Sequence, residues 1–393
     1  MSIEILSYLA YNLSMETNGV RSNLIPSRFD YITPFYNQGH DRKSLIDGVD
    51  SLLSSHDLAV KSIPFSSERH PSKLLVEIQS KSRDIKILKK YEGVQLYRMT
   101  YNCKEGNEIK EESGNFFILE HPDYNKVYVA LTIESNDFFR RAMLPSFERL
   151  YPHVMMTFIT HKRLRKLLEK FQVENQFSDL IITRASHKFR FNKKGKHDKV
   201  VPMVSWPNMD LEEAFDWVYK NNGWFQSLQF QGIRQNSPVT EISITRQGVV
   251  RAATMFSKVF EGFVLPICKT ILENIEFFGN RSRRDNRDLS AKPLAIDFGP
   301  DQFADSSENM EFIQSLKRLN KASVSVIHGN PYIHLSVVDY FDGSTFDLWV
   351  LNSRQLVIVP QMKGSISSIK RVINHIFDTY AEGDILDYKE ILN

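Results

Sequence analysis

The sequence predicts an α+β fold in several domains, with mixed or antiparallel sheets and packed helices. Two observations carry this. Strand-like apolar runs recur in pairs joined by short turns, as in NFFILE (115–120) and KVYVALTIE (126–134) around HPDYN. Strands joined that way pair as hairpins, whereas a doubly wound sheet alternates strand with helix. The chain is also long and apolar enough for two or three cores, with 393 residues, 42% of them hydrophobic and 12% aromatic. Its 27 Phe, 15 Tyr and 4 Trp exclude a disordered chain. Three regions are expected: an N-terminal α+β region (1–112), a central α+β domain with a basic loop and a long core helix (113–280), and a C-terminal helix–meander–helix domain (290–393).

In the first region, Leu45, Ile46, Val49, Leu52 and Leu53 mark one face of a helix over 42–55. Pro26, Pro34, Pro64 and Pro71 read as loop punctuation, and LLVEIQS (74–80) and VQLYRMTY (94–101) as strands. The charged run CKEGNEIKEESG (103–114) reads as an exposed boundary.

In the central region, Asn136 or Asp137 should cap a helix through FFRRAMLPSFERL that Pro145 divides. HVMMTFI (153–159) reads as a strand, and Thr160 caps a basic helix over 161–171. SDLIIT (178–183) follows as a strand, and 209–222 as a helix whose Asp210, Glu212 and Glu213 complement its dipole. WFQSLQF (224–230) and EISITR (241–246) are strands. A long apolar helix from about 248 to 277 should kink at Pro266.

The last region reads strand (PLAIDF), helix (ENMEFIQSLKRLN), four strands (ASVSVIH, YIHLSVVDY, STFDLWVL, QLVIVP) and helix (SSIKRVINHIFDTY). No internal repeat of 20–50 residues is visible.

Two cysteines, Cys103 and Cys268, are far apart and exclude a disulfide scaffold or thiolate zinc site, which fits a reducing cytoplasm. The first residues lack a basic n-region, and no run reaches the roughly 18 apolar residues that span a bilayer, so no membrane partner is expected. Motifs of serine hydrolases, zincins, P-loop enzymes and Rossmann folds are missing. His328 and His334 have no third ligand in sequence.

The formal charge is only +3, but cations cluster. Residues 184–199, RASHKFRFNKKGKHDK, hold seven Lys and Arg against one acid, with two phenylalanines interleaved. Lys and Arg neutralise phosphates and release counterions, and aromatic faces stack on unpaired bases. The candidate contacts are Lys162, Arg163, Arg165 and Lys166 on the basic helix. Arg184, Lys188, Phe189, Arg190, Phe191, Lys193, Lys194 and Lys196 follow in the loop, and Arg281, Arg283 and Arg284 in a polar linker. No zinc-finger, K-homology or RNA-recognition signature accompanies them. The leading expectation is therefore sequence-independent binding of DNA or RNA within a larger assembly. A protein-interaction subunit, with a partner protein or a second copy, is the non-enzymatic alternative.

A third reading comes from Asp339, Asp342, Asp347, Gln361 and Lys363 in the C-terminal meander. In extended chain, Gln361 and Lys363 project to one side and face Asp347 on the neighbouring strand. A carboxylate at Asp347 facing that pair suits Mg²⁺, with the lysine at the attacked phosphate. This Asp…Gln-x-Lys pattern, preceded by a helix and strands and followed by a helix, resembles the PD-(D/E)XK nuclease superfamily. Its DGSTFD and QMK pieces are similar to Mrr-type restriction endonucleases, where Gln replaces the usual acid. The resemblance implies Asp347, Gln361 and Lys363 as catalytic residues, Asp342 or Asp347 as metal ligand, Mg²⁺ as cofactor and an extra acid from Glu308 or Glu311. It also implies a setting in prokaryotic defence.

Overall fold

The computed structural model describes residues 28–77, 83–105, 108–189, 201–221, 223–282, 292–329 and 332–388. The chain divides into two compact units, Met1–Gly39 and His40–Asn393. The first contributes one described helix, α1 (Arg28–Asn37), which contains Pro34. That proline therefore lies in a helix and not in a loop.

The second unit is α+β, with two antiparallel sheets. It opens with α2 (Arg42–Ser55), capped by Asp41, whose side chain accepts from the Ser44 N–H. The large sheet takes β1 (Val60–Ser67), β2 (Arg83–Tyr91), β3 (Val94–Glu105), β4 (Glu108–Glu120), β5 (Val127–Thr132) and β6 (Val154–Met156) from one stretch of chain. A later stretch supplies β7 (Asp179–Phe189), β8 (Val201–Asp210), β9 (Gly223–Arg234), β10 (Ser237–Thr245) and β11 (Val250–Ala252). Their spatial order is β2-β3-β4-β5-β1-β11-β10-β9-β7-β8, with β6 alongside the end of β1.

Several local expectations give way to tertiary structure. Pro64 lies inside β1, at the centre of the sheet. On one side β1 pairs continuously with β5; on the other, β11 covers residues 60–62 and β6 covers 65–67. Pro64, which has no N–H to donate, sits at the gap between them. The first four residues of LLVEIQS (74–77) are helical and not a strand: Pro71 starts the helix α3 (Pro71–Glu77), which buries Leu74 and Leu75, and 78–80 lie outside the described residues. Proline at a first helical position is pre-set for the turn and outranks the strand-like composition. The charged run near 112 is no boundary either, because β3 and β4 pair without interruption from Val94↔Leu119 to Glu105↔Glu108. The expected break between 112 and 113 thus falls inside β4.

The large sheet has a duplicated plan that the sequence reading missed. On each side of β1 a meander ends in a strand that pairs with β1, and a helix follows. The first, α4, runs through Asn136–Phe138, a π turn at Phe139–Met143 and Leu144–Arg149. The second, α7, runs through Phe256–Val259, a π turn at Phe260–Val264 and Leu265–Gly279. The turns are spelled FRRAMLP (139–145) and FEGFVLP (260–266), 121 residues apart. In each, the leucine N–H reaches back five residues to the phenylalanine carbonyl. The wider turn makes room for the proline ring that would crowd a regular helix, so Pro145 and Pro266 continue their helices instead of breaking them. Ser135, not Asn136 or Asp137, caps α4.

Between the two halves lies α5 (His161–Glu174), capped by Thr160, and between β8 and β9 lies α6 (Leu211–Lys220), capped by Asp210. The small sheet contains β12 (Leu294–Asp297), β13 (Ala322–His328), β14 (His334–Asp339), β15 (Thr345–Val350), β16 (Gln355–Pro360) and β17 (Asp384–Asp387), in the order β13-β14-β15-β16-β12-β17. Its apolar face buries Phe346, Leu348 and Ile358 against α8 (Ser306–Lys317) and α9 (Ile366–Thr379), which contribute Phe312, Ile369, Ile373 and Phe377 to one core. Among the described residues, no helix is long and apolar enough to cross a membrane.

Candidate anion-binding cleft

The C-terminal constellation comes together only in part. Asp347 alternates with the buried Phe346 and Leu348, so it points to the sheet face away from α9. There it accepts a hydrogen bond from Gln361 Nε2 at 2.6 Å, and His334 lies 4.0 Å away, its ring against Trp349. Lys363 does not extend this strand face. β16 ends at Pro360, and the Gly364 N–H closes a turn onto the Gln361 carbonyl, which leaves Lys363 exposed in that turn. The spacing argument for Gln361 and Lys363 required extended chain and fails at this turn.

Asp342 faces the other way. Its carboxylate accepts from Ser365 Oγ at 2.5 Å, Ser368 Oγ at 2.9 Å and the Ser344 N–H at 2.9 Å. Burial pushes its carboxyl up, but the hydrogen bonds from Ser365, Ser344 and Ser368 outweigh it and hold the group below the usual range. Asp339, fully buried beside it, accepts from Ser368 and pairs with Arg371 at 2.8 Å. These acids tie the β14–β15 turn to the start of α9. Glu308 caps the entry to α8 by accepting from the Ala304 N–H, and Glu311 stands on the same helix. Among the described residues, no three His, Cys, Asp or Glu side chains are grouped to hold a metal ion. Asp342 and Asp347, on opposite faces, do not form a Mg²⁺ site.

The basic candidates separate sharply. Lys188 is buried, with its ammonium on the Asp378 carbonyl at 2.6 Å. Arg281 is buried over Phe277 and bonded to Asp387 at 2.6 Å. Arg165 is held by Glu169 and Asp216 at 2.9 and 3.0 Å. These three are structural cations, corrected from the expected set: Asp216, Asp378 and Asp387 lie far along the chain, out of reach of local sequence reading, and only Glu169 is a near neighbour, four residues from Arg165. Arg184 is exposed on β7. The Phe189 side chain and Arg190, Phe191, Lys193, Lys194, Lys196, Arg283 and Arg284 lie outside the described residues.

Lys162, Arg163 and Lys166 do meet at one site. Steps of three and four residues place them with Lys170 along a single stripe of α5. The stripe faces Lys269 and Glu273 on the later part of α7 and Lys370 on α9 across a cleft of about 710 Å³. Phe158, Phe277, Phe278 and Phe377 also line it, and Asp384 of β17 stands at its edge. Six cations thus surround the cleft against two acids. Lys162 pairs with Asp384 at 2.9 Å, Arg163 with Glu273 at 2.7 Å and Lys170 with Glu174 at 3.4 Å. Lys166, Lys269 and Lys370 make no ion pair among the described residues.

Lys370 is the unusual member, and the sequence reading did not single it out. It is 4% exposed, and its ammonium has no hydrogen-bond partner among the described residues. Burial pulls its pKa down to about 8. The signal was present: Ile366, Lys370, Ile373 and Phe377 occupy one helical stripe, and a lysine there falls on the core face.

The chain matches no family model and no curated protein.

Proposed function

We propose that this protein binds DNA or RNA through the phosphate backbone, without sequence preference, in the cleft between α5, α7 and α9. The observation that carries the reading is the lining: six cations, three of them unpaired, around a space that four phenylalanines also line. Cationic grooves with aromatic surfaces track a phosphodiester chain and accept bases of any identity. The acids in the cleft pair with Lys162 and Arg163 and hold them in place.

The test is fluorescence anisotropy with a labelled single-stranded oligonucleotide over a salt series. Lys166→Glu with Lys269→Glu should weaken binding by about tenfold or more at low salt and flatten the salt dependence by about two contacts. Both side chains are exposed, so the fold should be unaffected. Unchanged affinity in the double variant would overturn the cleft as the binding surface.

A further inference from the structure

A second cavity, of about 880 Å³, adjoins the cleft across a wall of Phe158, Lys370 and Asn374, residues that line both spaces. It is bounded by the end of α4, the segment after β6, the adjoining ends of β9 and β10, and α9. Among the described residues that line it, Lys370, Thr157, Tyr151, Arg246 and Arg371 each have a buried polar side-chain atom without a hydrogen-bond partner, and three of them bring donors from separate stretches of chain. These are Lys370 Nζ, Thr157 Oγ1 and Arg246 Nε, in residues 4%, 2% and 2% exposed. Arg246 is otherwise anchored: it bonds Glu382 through Nη2 and stacks at 4.2 Å on Phe158. Arg371, in the same wall, is ion-paired with Asp339 at 2.8 Å and donates through Nη2 to the Asn320 carbonyl. Donors with no acceptor are costly in a protein interior, and a buried ammonium with none is the costliest.

We propose that this cavity binds a small organic phosphate, whose oxygens accept from Lys370, Thr157 and Arg246. An ammonium offers three N–H groups and the hydroxyl and guanidinium one more each, arriving from three stretches of chain. A phosphate monoester, with three terminal oxygens and up to two charges, answers donors from several directions, whereas a carboxylate presents two oxygens in one plane. Phe147, Tyr151 and Phe341, with the amides of Gln226 and Gln247, line the rest of the space and suit the organic part. The volume is that of a site for a ligand of nucleotide size. Two acids also line it. Asp378 is engaged by Gln226 at 3.0 Å, and burial pushes the Glu148 carboxyl up, toward its neutral form.

The inference concerns a separate space from the cleft; Lys370 borders both, so Thr157, which lines only the second cavity, keeps the test apart. Calorimetric titration and thermal-shift measurements on the full chain would use inorganic phosphate, adenosine 5′-monophosphate and adenosine. The two phosphates should bind and raise the melting temperature, and the nucleoside should do neither. Thr157→Val keeps the side-chain shape and touches only this cavity; Lys370→Met removes the charge. Each should weaken adenosine monophosphate binding by about tenfold, the loss of one charge-assisted hydrogen bond. The Lys166→Glu/Lys269→Glu variant should bind it as the wild type does. No binding of either phosphate, wild-type affinity in the Thr157 and Lys370 variants, or loss in the cleft variant instead would each overturn the proposal.

Discussion

The two halves of the large sheet follow the same course as far as the π turn and then differ. In the first half, α4 stops at Arg149, soon after its Leu-Pro pair. In the second, α7 runs on to Gly279 and carries Lys269, Glu273, Phe277 and Phe278 into the cleft. The turns themselves are covered differently. Gly262 lies against Phe171 of α5, so closely that a Cβ there would stand 2.4 Å from a ring carbon. Its counterpart in the first half is Arg141, which is exposed. The cleft was therefore built where one half was extended and overlaid by a basic helix, and not from what the halves share.

The largest expected effect breaks this comparison at its point of contact. Phe171 is fully buried, 4.3 Å from the Phe263 ring and 5.6 Å from Phe177, and has no room to retreat. Gly262→Ala should cost about 2–3 kcal/mol through overpacking. Arg141→Ala, at the matching place on a bare surface, should stay within about 0.5 kcal/mol. Urea unfolding of the two variants checks this, and equal shifts would show that α5 does not distinguish the halves.

Much of the element pattern was legible because local periodicity and caps agreed with the tertiary result. The helix over 42–55, the Thr160 and Asp210 caps and the strands of the C-terminal meander belong here. The duplication was not legible, since only phenylalanine, leucine and proline persist between FRRAMLP and FEGFVLP. A repeat of one backbone turn leaves most side chains free to diverge. Among the site residues, Lys162, Arg163 and Lys166 were found as a cluster, but local charge counting cannot distinguish a free cation from one with a distant acid. Lys188 shows the limit: its acceptor is the carbonyl of Asp378, 190 residues away.

Next in size is Lys370, at the wall between the cleft and the second cavity. With no partner, its charge opposes folding, so Lys370→Met should stabilise the ligand-free protein at neutral pH by about 1–3 kcal/mol. The pH dependence fixes the cause. The folded-state pKa is about 8 against an ordinary 10.5. Between those values the unfolded chain holds more protons, so wild-type stability rises with pH across that window, by roughly 3 kcal/mol at most. Below pH 8 both states carry the proton and the full cost remains. The charged neighbours in the two spaces, Lys162, Arg163, Lys166, Lys170, Lys269, Arg246, Arg371, Glu148, Glu273, Asp378, Asp384 and His375, are unaltered by the substitution. Comparing the variants by urea unfolding at pH 7 and pH 10 isolates the one group: the advantage of methionine should shrink at the higher pH. An advantage independent of pH would mean that Lys370 is not buried as an unpaired charge.

The smallest stability effect bears most directly on how the extended half works. Arg163 on α5 meets Glu273 on the added length of α7, a pair with no equivalent in the first half. Both side chains are well exposed, at 39% and 47%, so the double-mutant coupling should be about 0.5 kcal/mol and fade with salt. Nucleic-acid affinity should respond more strongly and in opposite senses. Arg163→Ala removes a cation and leaves Glu273 uncompensated in the cleft, which should weaken oligonucleotide binding. Glu273→Ala releases Arg163 toward phosphate and should strengthen it. The double variant, with one charge of each sign removed, should return close to wild-type affinity and salt slope. If the double variant instead binds as weakly as Arg163→Ala alone, Arg163 contacts phosphate directly despite its pairing. If none of the three changes affinity, this part of α7 takes no part in binding.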